Sequence, residues 1–480
     1  MNYRMICRVL GLILLIYAAL MFLPIVVGLC YRESPVPFLI SMAAAAVPGG
    51  LLLLSKPKNS GLVARDGFVI VGLGWILISL IGALPLFLSG SMPSYVDALF
   101  ETVSGLTTTG ATVLENFDGM PRGVMFWRVF AHWIGGMGVL VFLMAVLPMS
   151  GEHSMHIMRA EVPGPTVGKL VPRARRTAMI LYLIYIAMTL IEAVVLMLAG
   201  MNLYDALLHA FSTAGTGGFS DMANSISGFQ SPLIENILAV FMILFALNFN
   251  LYYLALIGSA RKALKNEELR DFLLLILSAV LLIAFSLWRS HGFALRPALH
   301  DAFFNVATVI STTGFGTADF TEWPEICKWV LILLMFCGGC AGSTGGGIKM
   351  SRVMILVKSV VAELKQISRP RNVVRVQIDG QRVERETIRA AYTFVSIYFM
   401  LLLLFSVLLS LDGTDIATSF TASLSCLSNV GPGLTKIIGP AGNYAFFTVR
   451  SKLLLSLAML LGRLEIYPIL VLMMPRTWRR

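Results

Sequence analysis

The sequence is short of charge. Asp, Glu, Lys and Arg make up 13% of its 480 residues, against about 25% in soluble globular domains. So few charges cannot clothe a chain of this length in water, which excludes a soluble domain. Cysteine is sparse as well, at 6, with no spacing that reads as a disulfide framework. Cys337 and Cys340 form a C-x-x-C inside an apolar, glycine-rich segment, without a second ligand pair, so they read as packing residues. His153 and His156 make a lone H-x-x-H, weak grounds for a metal site. A nucleophile with its base and orienter is missing, which argues against an intramembrane enzyme. The alternating pattern of a membrane β-barrel is missing too.

What is present is apolar. Hydrophobic residues make up 57% of the chain, the mean hydropathy is +0.81, and continuous stretches reach the roughly 20 residues that span a bilayer. The expected fold is an all-α polytopic membrane protein. A formal net charge of +11 would also suit a nucleic-acid surface, but the basic residues are distributed otherwise. Most of the 37 fall at Arg4 and Arg8, Lys56 to Arg65, Arg159 to Arg176, Arg261 to Arg270, Lys349 to Arg389 and Arg476 to Arg480. This is the positive-inside pattern, with both termini cytoplasmic and no nucleic-acid partner. The first apolar stretch, 6–29, exceeds a typical signal core and lacks a clear A-x-A site, so it reads as a retained helix.

After a two-helix hairpin (6–29 and 36–54) one pattern recurs four times: long helix, short helix, Thr/Gly loop, long helix. The long outer helices are expected near 67–89, 177–200, 271–290 and 387–411. The short ones are expected near 95–107, 203–214, 298–311 and 415–427, and the inner ones near 123–148, 232–258, 324–357 and 444–473. This divides the chain into a hairpin, 1–64, and four pore repeats, 65–158, 159–265, 266–370 and 371–480. The repeats are parallel, each returning to the cytoplasm, unlike the inverted repeats of many secondary transporters. The short segments align with one another. "VDALFETVSGLTTTGAT", "YDALLHAFSTAGTGGFS" and "HDAFFNVATVISTTGFGT" each place Gly thirteen residues after Asp, at Gly110, Gly218 and Gly314. The fourth copy diverges, with Gly431 sixteen residues after Asp415.

Segments this short cannot cross a bilayer, and irregular backbone at membrane depth must be buried or line a wet cavity. External turns would not need one glycine register four times, and no Lys follows the loops as in phosphate-binding loops. Aligned on their glycines, the loops read Thr108-Thr109-Gly110, Thr216-Gly217-Gly218, Thr312-Thr313-Gly314 and Asn429-Val430-Gly431. Each resembles a degenerate version of the potassium-channel filter, in which four loops aim backbone carbonyls at a dehydrated ion.

These loops, together with "HWIGGMGVL" at 132–140, "CGGCAGSTGGGIKM" at 337–350 and "MLLGRLEIYP" at 459–468, resemble the Trk/Ktr/HKT superfamily of potassium transporters. The resemblance spans nearly the whole chain and is closest to the bacterial Trk-type membrane subunit. It implies uptake of K+ across the cytoplasmic (inner) membrane of a bacterium through a fourfold pseudosymmetric pore. It also implies a homodimer and control by a cytoplasmic nucleotide-binding ring. In the plant branch of this superfamily, serine at the first filter glycine accompanies sodium preference; Gly110 stands there in this chain. No organic cofactor is expected. A sodium or mixed-cation conductor and a cation symporter of the same architecture remain alternatives.

The segment 337–347, with Gly338, Gly339, Gly342, Gly345, Gly346 and Gly347, would unwind a helix. It reads either as a helix end before a cytoplasmic loop or, with the family, as an intramembrane gate below the filter, with Lys349 near the cytoplasmic mouth. Arg463 lies well inside the bilayer, where a lone charge costs about 2.5–3.5 kcal/mol on insertion scales. It is expected to face the permeation path and bond carbonyls of the glycine-rich loop. Glu101, Glu192, His132, His209, Asn248 and Asn250 are expected to bond between helices, with Glu101 an alternative source of negative potential near the filter.

Overall fold

The computed structural model describes residues 1–55, 62–117, 119–138, 174–291, 294–369 and 375–478. Among the described residues, six helices are long and apolar enough to cross a membrane: Tyr3–Cys30, Val36–Leu53, Arg65–Leu88, Ala178–Leu198, Glu267–Ser290 and Arg385–Ser410. Their outward faces carry exposed Leu183, Leu190, Leu274, Leu281, Leu403 and Val407, as a lipid-facing surface requires. The first two pack closely, because a Cβ on Gly11 would lie 2.7 Å from the Gly49 carbonyl oxygen and one on Gly49 3.1 Å from that of Gly11. Paired small residues are how helices approach one another in lipid. Among the described residues, the only strands form one antiparallel hairpin of two residues each, Gln377–Ile378 and Gln381–Arg382. The carboxylate of Asp379 at its tip accepts the Glu267 N–H at 2.7 Å, capping the start of the helix Glu267–His291.

The short helices are Tyr95–Leu106, Leu203–Gly215, Leu295–Ile310 and Ile416–Ser428. Their caps explain the irregular fourth copy. Ser94 and Asn202 cap the first two and accept the N–H of Asp97 and Asp205, respectively, in the third helical position. In the fourth, Asp415 is itself the cap and accepts the Thr418 N–H. The aspartate has moved back along the chain by three positions while the helix start has kept its place. The third helix begins at Leu295, so Asp301 lies in its interior.

The inner helices correct the sequence reading. The second and fourth were expected to run unbroken, yet the second bends by 87° between Pro232–Ala246 and Phe249–Leu256. The third, which the glycine-rich segment was expected to unwind, stops at Cys337 and resumes at Met350. The fourth, Val449–Arg463, ends before Glu465 and Ile466, whose φ angles are 53° and 68°, and a short helix Tyr467–Met473 follows. Of the first, Arg122–Gly136 is described. Hydropathy does not reveal these breaks, because the segments on both sides of each remain apolar. His153, His156, Arg159, Lys169, Arg173 and the boundaries near 158 and 370 lie outside the described residues.

Candidate functional site

The four short helices end alike. Thr108, Thr216, Thr312 and Asn429 have φ of 54°, 55°, 59° and 57°, and two residues later Gly110, Gly218, Gly314 and Gly431 have φ of 80°, 80°, 86° and 99°. Left-handed backbone is rare for non-glycine residues, so its recurrence at one register in four loops is a shared conformation. The loops also close on one another in cyclic order. A Cβ on Gly110 would overlap the carbonyl oxygen of Gly217, one on Gly218 that of Thr313, and one on Gly314 that of Val430. One on Gly431 would lie 2.5 Å from the carbonyl oxygen of Thr109. First meets second, second third, third fourth, and fourth first again. All four glycines line one cavity of about 210 Å³ on the side of the ring from which the loops lead away.

Side chains behind the ring hold it in place. Thr109 and Thr313 bond backwards to Thr107 and Ser311 at 2.8 and 2.7 Å, which accounts for the hydroxyl-rich spelling of loops one and three. In loop two this position is Gly217, because the His132 ring occupies the space a Cβ would take. His132 Nδ1 bonds the Gly105 carbonyl at 2.7 Å, and its Nε2 accepts the Phe219 N–H at 3.3 Å. Glu101 and Arg128 form a buried ion pair at 2.6 Å. Glu101 also accepts the Thr112 hydroxyl at 2.8 Å and the Val113 N–H at 2.9 Å, while Arg128 donates to the Ser220 carbonyl at 3.0 Å. Glu101 is thus a neutralised anchor rather than a free negative charge. His209 bonds Ser220 at 3.1 Å.

On the opposite side of the ring lies the stretch Gly338–Lys349. Its Gly346 N–H donates to Thr312 Oγ1 at 2.6 Å and its Gly347 N–H to the Ser428 carbonyl at 3.0 Å. A Cβ on Gly346 would overlap that same Ser428 oxygen. The stretch fills the bend in the second inner helix: Cys340 N–H donates to the Ala246 carbonyl at 2.9 Å, and Phe249 N–H to the Gly342 carbonyl at 3.1 Å. Asn248, the residue at the bend, accepts the Asn250 N–H at 3.0 Å and caps the resumed helix. Glu268 accepts the Ala341 N–H at 2.8 Å. Arg463 donates to the Thr344 carbonyl and the Gly136 carbonyl, both at 2.6 Å, and also to that of Gly135. One guanidinium therefore joins the ends or breaks of the first, third and fourth inner helices. Arg352, beyond the stretch, pairs bidentately with Glu465 at 2.6 and 3.3 Å.

The structure thus brings every expected ring and loop residue together, and gives Arg463 the loop carbonyl expected of it. Lys349 is placed differently: it is buried and its ammonium turns back to the Gly345 carbonyl. Arg128 and Glu268 escaped the sequence reading. The only signal for Arg128 was a basic residue inside an apolar helix.

A family model described as TrkH, cation transport protein, matches residues 33–479. The potassium uptake protein TrkH of Halomonas elongata is 36% identical, with 100% of both chains covered. TrkH of Escherichia coli (strain K12) is 35% identical, also with 100% of both covered. Among solved structures, the potassium transporter TrkH from Vibrio parahaemolyticus superposes with a TM-score of 0.90 at 34% identity, covering 100% of each chain.

Proposed function

The chain belongs to the TrkH family of cation transport proteins, and from that premise we propose that it takes up potassium across the inner membrane of a bacterium. The observation that carries this reading is the cyclic ring of loops, each with two left-handed residues at one register. Alternating handedness turns successive carbonyls toward one side, and four such loops offer oxygens to an ion that has shed its water. Thr108, Thr109 and Gly110, with their counterparts Thr216 to Gly218, Thr312 to Gly314 and Asn429 to Gly431, form the filter. The cavity of about 210 Å³ is its outer vestibule.

The glycine-rich stretch is the gate. It bonds the filter base through Thr312 and Ser428, so an ion leaving inward must displace it. Arg463 holds the stretch closed and sets a positive charge in the path. The gate opens under a cytoplasmic nucleotide-binding ring, and the protein works as a homodimer with both termini in the cytoplasm. Ion flux into liposomes, with potassium against sodium and with a pH gradient imposed, tests the reading. Potassium-preferring flux is expected. Equal sodium flux would make it a mixed-cation conductor, and flux driven by the proton gradient a symporter.

A further inference from the structure

The ring is uneven at its glycines. Among the described residues, the carbonyls of Gly110, Gly218 and Gly314 accept no protein hydrogen bond, whereas that of Gly431 accepts one from the Tyr444 hydroxyl at 2.7 Å. Tyr444 follows the fourth loop and is 2% exposed, its ring centroid 5.7 Å from that of Phe100 and 5.6 Å from that of Phe447. Its backbone N–H donates to the Thr112 carbonyl at 2.7 Å, just beyond the first loop. One residue therefore bonds both sides of the seam between the fourth loop and the first. Asn429 Nδ2 bridges the same seam to Thr109 Oγ1 at 3.0 Å. The fit there is looser than at the other three, where a Cβ would overlap the neighbouring carbonyl more severely.

We propose that Tyr444 is a positioning residue for cation discrimination: its hydroxyl pins the Gly431 carbonyl so that it cannot close in on an ion smaller than potassium. The proposal rests on the reading of the four loops as a carbonyl filter. A carbonyl oxygen has two lone pairs, so the bond to Tyr444 leaves one for the ion while fixing where that oxygen stands. The phenol can act this way because its ring is wedged between Phe100 and Phe447 and its own N–H is tied to loop one. Sodium needs oxygens nearer than potassium does, and a pinned oxygen cannot follow it inward.

The test is Tyr444→Phe in the full-length protein in liposomes, with potassium and sodium influx measured separately. The variant keeps the ring and its packing and removes only the hydroxyl. The expected result is potassium influx near wild type and a sodium-to-potassium ratio raised about threefold or more, the scale of one net hydrogen bond. An unchanged ratio, a lowered ratio, or both fluxes falling together would overturn the proposal. So would failure to fold, since the hydroxyl would then be holding the structure rather than the ion's surroundings. Gly110→Ser is measured alongside. If it alters the ratio and Tyr444→Phe does not, the role of Tyr444 alone is lost; if neither alters it, the filter reading falls as well.

Discussion

The ring and the stretch beneath it are held in different ways. Within the ring, backbone lies against backbone: each glycine leaves no room for a Cβ beside its neighbour's carbonyl, and the arrangement repeats four times. Beneath it, the stretch Gly338–Lys349 shares backbone bonds at Cys340, Gly342 and Gly347, but it is also held, without symmetry, by side chains reaching in from elsewhere, Arg463 to Thr344, Glu268 to Ala341 and Thr312 to Gly346. Contacts of the first kind cannot be loosened without deforming the backbone. Those of the second kind can be released one at a time by rotating a side chain. Rigidity suits the proposed filter, and releasable bonds suit the proposed gate.

The sharpest way to break this contrast is a methyl group in the ring. Gly218→Ala places a side chain at φ 80°, which costs about 1–2 kcal/mol in conformation alone, and adds an overlap with the Thr313 carbonyl. Loss of potassium-over-sodium preference in liposome flux, or of folded protein on size-exclusion chromatography, is expected. Gly431→Ala at the looser seam should do less harm, and the reverse order would contradict the cyclic packing. On the releasable side, Arg463→Ala is expected to raise potassium flux while leaving the ion preference unchanged. A rise of up to about tenfold corresponds to roughly 1.4 kcal/mol of barrier, well inside the 4 kcal/mol or so for like charges at 4 Å in a medium of dielectric 20. Flux at or below wild type in a folded variant would leave Arg463 as a tie between helices.

Smaller effects sharpen the contrast further. Glu268→Ala frees the Ala341 N–H, so basal flux should rise modestly, whereas Glu268→Gln keeps an acceptor and should remain near wild type; equal behaviour of the two would remove Glu268 from the gate's support. The smallest effect lies outside both regions. Asp412 accepts hydrogen bonds from Ser451 and Thr448 at the start of the fourth inner helix, and these hold its carboxyl below the ordinary value of 3.8. A depressed folded-state value means that this stabilisation is full above the unfolded value and is lost as pH falls through the folded one. Asp412→Asn should therefore lower Tm slightly at pH 7, with the difference shrinking below about pH 3.8. A difference that persisted in acid would assign it to something other than the charge.

Much of this was legible in the sequence, for reasons that are local. Low charge and long apolar stretches fixed the membrane class. The glycine register located all four loops, because a left-handed position beside a neighbouring carbonyl admits glycine and little else. Even the fourth loop, aligned by its glycine despite a displaced aspartate, fell into its place at Asn429 to Gly431. An arginine deep in an apolar helix announced its need for carbonyl partners, since an unsolvated charge must find acceptors.

What the sequence did not carry was decided by distant approach. That loop two spells glycine where the others have threonine or valine follows from the His132 ring, some eighty positions away. That Glu101 is an anchor and not a source of field depends on Arg128 across a helix interface. The breaks in the second and fourth inner helices, and the Tyr444 bond that makes one glycine carbonyl unlike the other three, have no periodic signature. Hydropathy records whether a residue avoids water, and a broken helix packed in protein avoids it as well as a straight one. Which carbonyl meets which donor is settled only when helices far apart in the chain are brought within hydrogen-bonding distance.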